Sequence, residues 1–378
     1  MTIKMSVQPP GDLRGRPLGV LRLSLTARCN LACPYCCPDS HEPPGLLSTG
    51  QRIRLVEAFV ALGGHTLRLT GGEPLLHGGL ENLIRALEPL RQRGGPDSRG
   101  ELRDIALTTN GVLLTAERAK SLHLSGLDRI TLSLDGTDPE TVAAMAGLQG
   151  GPTAGELVLT KVLAAIDHAI AAGFDPHHGQ LKLNAVITRS GNSHQLIALA
   201  ELARHYGMEL RLIEFMDVGN RNGWTFEEVY SAAEMVEKIG EQWPLEPISR
   251  DNHATANRWR YLDGKGYLGA IASISAPFCG DCNRLRVTAD GMAYTCLFAS
   301  TGTDLKPYLQ PESNDKELRL ALSRLWHIRH DNYSEQRQSI PNAIDRRDSH
   351  GNSSSGSKAK VLGQSNESVH AEMAYLGG

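Results

Sequence analysis

"LRLSLTARCNLACPYCCPDS", residues 21–40, joins two patterns. Leu21, Leu23 and Leu25 alternate with Arg22, Ser24 and Thr26, and then Cys29, Cys33, Cys36 and Cys37 fall within nine positions. A period of two is the signature of a strand, so the thiols follow a strand directly. On a helix, positions 29, 33 and 36 would form a stripe of three packed, inert thiols. Pro34 and Pro38 oppose a continuous helix there, and a loop at the strand's C-terminal edge is the better reading.

The strand pattern recurs near residues 65–70, 104–109, 129–134, 181–187 and 209–215, each time followed by helical apolar spacing. Such alternation predicts βα units and a parallel sheet. The helix after the first strand should open at Ser48, with Gln51 completing a capping box, and stop at Gly63. A second helix is expected over roughly 79–88, before Pro89. Parallel strands covered on both faces should be apolar throughout, yet Arg22 and Ser24, Arg68 and Thr70, Thr131 and Ser133, and Lys182 and Asn184 each share one face. Either the strands are antiparallel with a wet outer face, or they form a partly closed barrel whose interior is polar because it holds a ligand. The intervening helices are long enough for parallel crossovers, which favours the barrel.

The chain of 378 residues has room for about two domains, which excludes a small disulfide scaffold. Charges and prolines interrupt the first twenty residues, and no segment approaches the ~20 apolar residues that cross a bilayer. A cytoplasmic protein is expected. The net charge of −3, with 39 basic residues spread among 42 acidic ones, gives no support to nucleic acid or membrane as the main partner. Beyond about residue 240 the rhythm changes to short segments, then a helix near 314–330. The expected division is a core domain over 15–240, a C-terminal domain over 241–346, a Ser/Gly-rich flexible linker over 347–368 and a tail over 369–378.

Cys279, Cys282 and Cys296 form a second group, CxxC followed by thirteen residues and a third Cys. A structural zinc site wants four N or S ligands, so three thiols leave zinc open only with a His as fourth ligand. A four-iron cube held by three cysteines keeps one iron without a protein ligand, where a substrate or cofactor can bind. Two such triads suggest two clusters. Cys37 is left over as a small packed residue.

With these residues in view, the sequence resembles the radical S-adenosylmethionine (SAM) enzymes, whose CxxxCxxC motif matches Cys29, Cys33 and Cys36. "TGGEP" (70–74), "LTTNG" (107–111), "SLD" (133–135), "KLN" (182–184), "IEFMDVGN" (213–220) and "FCGDCNRLR" (278–286) extend the likeness to the GTP 3′,8-cyclase family. It runs from about residue 15 to 340 and resumes at Gly377 and Gly378. The resemblance implies a partial (β/α)6 TIM-like barrel with a C-terminal extension closing its open side. It implies two [4Fe-4S] clusters, one on Cys29, Cys33 and Cys36 and the other on Cys279, Cys282 and Cys296. SAM contacts carry over to Tyr35, Gly72, Ser133 and Met216, and GTP contacts to Arg22, Arg68, Thr108, Lys182, Arg284 and Arg286. Arg22, Arg284, Arg286 and the terminal Gly377 and Gly378 carry over as residues of the reaction. Guanidinium forks suit a triphosphate because they bind phosphate oxygens two at a time and stay charged.

The implied activity is radical cyclisation of GTP to 3′,8-cyclo-7,8-dihydro-GTP, the first step of molybdenum cofactor biosynthesis. A low-potential reductant and a downstream cyclic pyranopterin monophosphate synthase are the implied partners, and a homodimer is compatible with the resemblance. The alternatives are a radical SAM peptide-modifying enzyme with an auxiliary cluster and a non-catalytic iron–sulfur electron carrier. Ala27 and Cys37 depart from the family's usual first motif, and "AGLQGGPTAGEL" (146–157) and "DPHHGQ" (175–180) read as small insertions.

Overall fold

In the computed structural model, which describes residues 10–91, 101–219, 221–337 and 372–376, one sheet of twelve strands organises the chain. The strands are β1 (Val20–Ser24), β2 (Thr66–Thr70), β3 (Asp104–Thr109), β4 (Arg129–Ser133), β5 (Leu181–Ile187), β6 (Glu209–Glu214), β7 (Leu245–Ile248), β8 (Asn257–Tyr261), β9 (Tyr267–Ile271), β10 (Arg284–Val287), β11 (Met292–Tyr294) and β12 (Thr303–Asp304). Their order is β12-β11-β10-β1-β2-β3-β4-β5-β6-β9-β8-β7. The first six strands run parallel and in sequence order, with helices crossing between them. These are the six predicted segments, and the antiparallel alternative falls away for them.

The alternation now has its explanation. Leu21 and Leu23, Leu67 and Leu69, Ile105 and Leu107, Ile130 and Leu132, Leu181 and Leu183, and Leu210 and Leu212 are all fully buried in the apolar core that the crossover helices share. Each such side chain contributes about 2 kcal/mol of burial. The opposite, polar face of the sheet surrounds the cavity described below. The helix Thr49–Ala61 begins as expected, with Ser48 and Gln51 bonding each other's backbone N–H, and Gly63 follows its end at φ +94°. The second helix differs from expectation: it runs Leu80–Ala86, and a further turn, Glu88–Arg91, carries Pro89 inside it. Proline is tolerated in a first turn, where its missing N–H has no intrahelical partner anyway.

The C-terminal part extends both edges of the parallel sheet. β9 pairs parallel with β6, and β10 pairs parallel with β1. Residues 272–283 therefore leave the C-terminal end of β9 and return to the N-terminal end of β10, passing from one edge of the barrel to the other. The sheet itself stays open, and this connection spans its open side. Glu214, fully buried at the end of β6, fixes the connection by accepting from the backbone N–H of Ile274 at 2.7 Å and of Ser275 at 2.9 Å. The 347–368 segment and the terminal Gly377 and Gly378 lie outside the described residues.

Candidate active site

The loop after β1 is held from three sides. The amides of Cys36 and Cys37 both donate to the Cys33 carbonyl at 3.0 Å, which turns the chain at the third thiol. Gly72, in the turn after β2, sits so close that a Cβ there would lie 2.1 Å from the Arg28 carbonyl oxygen. Ala32 donates to the Ala146 carbonyl at 3.0 Å, and a Cβ on Gly147 would meet the Ala32 oxygen at 2.1 Å. Ala146 and Gly147, which begin the 146–157 stretch read from sequence as an insertion, are thus a wall of the thiol loop. Glu42 ties down the start of the loop, accepting from the hydroxyl of Thr26 and from the amide of Ala27.

Cys29, Cys33 and Cys36 line one cavity together with Cys279, Cys282 and Cys296. Burial pushes the thiols of Cys29 and Cys33 up and that of Cys36 up to about 12. Such thiols become good ligands only when a metal's positive charge offsets the burial. Among the described residues, no group of three His, Cys, Asp or Glu stands close enough to hold a single metal ion. Cys37 is not among the cavity residues: it sits at φ +48° with its thiol donating to the Pro34 carbonyl at 3.1 Å.

Tyr35 donates its hydroxyl to Asp135 at 2.6 Å, and the amide of Val186 donates to the other oxygen at 2.8 Å. Burial pushes the Asp135 carboxyl up to about 6. Gly72, Ser133 and Met216 line the cavity beside it. Thr108 Oγ1 and Asn184 Oδ1 are buried on the same wall with no hydrogen-bond partner among the described residues, which is what a site shaped for a polar ligand leaves behind.

Six arginines line the cavity, Arg22, Arg68, Arg211, Arg284, Arg286 and Arg329, against three carboxylates, Glu73, Asp135 and Asp331. The sheet register brings Arg286, Arg22 and Arg68 side by side on three adjacent strands. Burial and the other guanidiniums bring Arg22 well below its ordinary value, Arg68 to about 9 and Arg286 to about 10. A wall that destabilises its own charge in this way is complementary to an anion. At Cys282 burial raises the thiol, but the guanidiniums of Arg284 and Arg329 outweigh it and lower it to about 6. Arg284 Nε lies 3.3 Å from the Cys282 sulfur.

Lys182 is not among the lining residues; its ammonium donates to Glu209 at 2.9 Å. Arg211, which also binds Glu209, lines the cavity in its place and escaped the sequence reading. Its position in "ELRLIE", with the same alternation as "LRLSLT", was the available signal. Gly377 and Gly378 fall outside the described residues, but the tail just before them reaches the site. Met373 lines the cavity, and Arg286 Nη1 donates to the Leu376 carbonyl at 3.4 Å.

An open parallel sheet with a three-thiol loop after its first strand is the arrangement of the radical SAM class, and residues 23–203 match the family model described as "Radical SAM superfamily". Residues 208–335 match "Molybdenum Cofactor Synthesis C". The chain belongs to the GTP 3′,8-cyclase family: it is 54% identical to the GTP 3′,8-cyclase of Synechococcus sp. (strain CC9902), over 97% of this chain and 98% of that protein. It is 42% identical to the GTP 3′,8-cyclase of Acidothermus cellulolyticus, over 98% of this chain and 99% of that protein. Among solved structures it shares its fold with Streptococcus suis SuiB bound to S-adenosylmethionine, at a TM-score of 0.57 and 15% identity, over 86% of this chain and 68% of that one.

Proposed function

We propose that this chain is a GTP 3′,8-cyclase that uses SAM and two four-iron clusters to form 3′,8-cyclo-7,8-dihydro-GTP, the first step of molybdenum cofactor biosynthesis. The observation that carries the reading is one cavity lined by both thiol triads and by six arginines. Near-full-length identity to named cyclases supports the activity. The first cluster, on Cys29, Cys33 and Cys36, and SAM supply hydrogen-atom abstraction when bound; everything else falls to the chain. The Gly72 turn, Ser133 and Met216 would seat SAM beside the thiol loop, with Tyr35 held in place by Asp135. Arg22, Arg68, Arg284 and Arg286, with Arg211, would hold the triphosphate and orient the ribose, and Thr108 supplies an unused hydroxyl on that wall. Lys182 contributes through Glu209 rather than by contact. The second cluster, on Cys279, Cys282 and Cys296, would sit at the purine end.

The product would pass to a cyclic pyranopterin monophosphate synthase, and a low-potential reductant must supply electrons. No described helix is long and apolar enough to cross a membrane, which fits a cytoplasmic site. The peptide-modifying alternative has only likeness of fold behind it, and an electron carrier has no use for an arginine-lined cavity. Anaerobic incubation of the reconstituted, reduced protein with SAM and GTP, read by mass spectrometry, should give 5′-deoxyadenosine and the cyclised nucleotide together. 5′-Deoxyadenosine without any GTP-derived product would overturn the cyclase reading.

A further inference from the structure

A buried ion-pair network stands behind the second thiol triad, built partly from an N-terminal segment that neither family model reaches. Asp12 Oδ2 holds Arg16 Nε at 2.5 Å and Arg329 Nη1 at 3.5 Å, and the side chains of all three are at most 2% exposed. Asp12 Oδ1 accepts from the amides of Arg14 and Arg16, both at 2.9 Å, so the carboxylate is fixed in its own turn. Trp326 donates to the Arg16 carbonyl at 2.9 Å and lies under the Arg329 guanidinium, 4.6 Å from it.

The outward bonds of this network go to the backbone at the thiols. Arg16 Nη1 donates to the Cys279 carbonyl at 2.7 Å and to the Asp331 carbonyl at 3.0 Å. Arg329 Nη1 donates to the Cys282 carbonyl at 2.6 Å, and Arg329 Nε reaches the Asp331 carboxylate at 3.2 Å. That carboxylate accepts in turn from the hydroxyl of Thr295 at 2.7 Å, one residue before Cys296. Every cysteine of the triad is therefore tethered, directly or through its neighbour, to one set of charges.

We propose that Asp12, Arg16, Arg329 and Asp331 are positioning residues for the second cluster, a preset template that holds the backbone at Cys279, Cys282 and Cys296 before the cluster arrives. The template rests on the reading that this triad binds a cluster. Cys279 and Cys282 share one short turn, closed by the Cys282 amide donating to the Cys279 carbonyl at 3.2 Å, but Cys296, thirteen residues on and just after β11, belongs to no element in common with them. Rigid guanidinium forks that bond several carbonyls at once supply that spacing, where a lysine would supply only charge. Buried ion pairs add little net stability over apolar residues of the same size, so their presence here is better explained by geometry than by folding energy.

The test uses the full chain, anaerobically reconstituted, as wild type and as Arg16→Met, Arg16→Lys and Thr295→Val. Wild type should carry about eight irons from two cubes, and Arg16→Met about four, with SAM cleavage at the first triad kept within about twofold. In the dithionite-reduced protein the electron paramagnetic resonance signal lost should be the one missing from a Cys279→Ala/Cys282→Ala/Cys296→Ala variant. Arg16→Lys, which keeps the charge without the fork, should shift that signal or lower its occupancy. Thr295→Val, a near-isosteric change, should shift it too, and reads the template even if Arg16→Met does not fold. Full iron with an unaltered signal in Arg16→Lys and Thr295→Val would overturn the proposal, as would loss of both clusters in proportion in an Arg16→Met protein that keeps the wild-type circular dichroism. Wild type holding only about four irons would overturn the second-cluster reading instead, and the template with it.

Discussion

Glu209 holds three cations at once: Arg211 at 2.6 Å, Lys182 at 2.9 Å and Arg258 at 3.1 Å. Burial alone would raise its carboxyl, but Arg211, Lys182 and Arg258 outweigh burial and bring it down to about 2. Lys182 does not gain in return, because burial and the charge of Arg211 lower its ammonium to about 8 in spite of Glu209. A carboxyl depressed in the folded state stabilises the fold above its ordinary range and loses that contribution as pH falls through the folded value. The window here runs from about 4.5 down to about 2. Glu209→Gln should therefore remove roughly 3 kcal/mol of stability at neutral pH and flatten the acid limb of a urea-unfolding series across that window. An acid limb identical to wild type would show that the three cations do not depend on Glu209. The same carboxylate holds the Lys182 ammonium, which the resemblance implies as a GTP contact: its strand position puts it on the polar face, but only the structure shows the partner on the next strand.

At the scale of elements, the alternating strands were fully legible because a period of two fixes which face each residue takes, whatever its neighbours. Arg22 and Arg68 were readable as inward-facing for that reason, and the register confirms them as partners. β9 and β10 were not legible as flanking strands, since nothing local in "YLGAI" or "RLRV" says which distant edge each will pair with. The packing role of the 146–157 stretch was illegible for a related reason. Read as a small insertion, it walls the thiol loop with its first residues and opens with its later ones the helix Gly151–Ala171, whose Val158 and Val162 line the cavity. Close packing of loop on loop leaves a sequence trace only in glycine, and Gly72 is the clearest case. Gly72→Ala would drive a methyl group into the backbone of Arg28, so one of the two loops must move. The expected result is SAM binding weakened by at least about tenfold, which is about 1.4 kcal/mol, with the second triad's iron unaffected. Equilibrium dialysis with labelled SAM and an iron count would check it. Wild-type affinity would mean that the turn has slack the structure does not show.

The chain as a whole closes its cavity with pieces from far apart in sequence, and the tail is the last of them. Residues 372–376 carry an apolar set, Met373, Tyr375 and Leu376, that packs with Val218, Tyr294 and Phe298. Polar bonds fix the same five residues at both ends. Glu372 pairs with Arg221 at 3.0 Å, and Arg221 also holds the Cys37 carbonyl and Asp39, both at 2.9 Å, so the tail is tied to the first thiol loop. The Tyr375 hydroxyl reaches Asp290 at 2.9 Å, and the Leu376 carbonyl accepts from Arg286. The apolar character of Met373, Tyr375 and Leu376 is plain in the sequence but their seat is not, because it is assembled from the β6 exit, β11 and the loop after β11. These polar bonds go to Arg221, Asp290 and Arg286. Ending the chain at Ala371 should therefore leave iron content and slow, uncoupled SAM cleavage near wild type. It should still lower formation of the cyclised nucleotide by about tenfold or more, because Arg286 loses its backbone partner and water gains entry beside Met373's place. Arg221→Ala, which removes one of the tail's ties without shortening it, should fall between the two. Iron content, 5′-deoxyadenosine and cyclised product measured on the same preparations separate these effects. A shortened chain that converts GTP at the full-length rate would show that the cavity is complete without its tail.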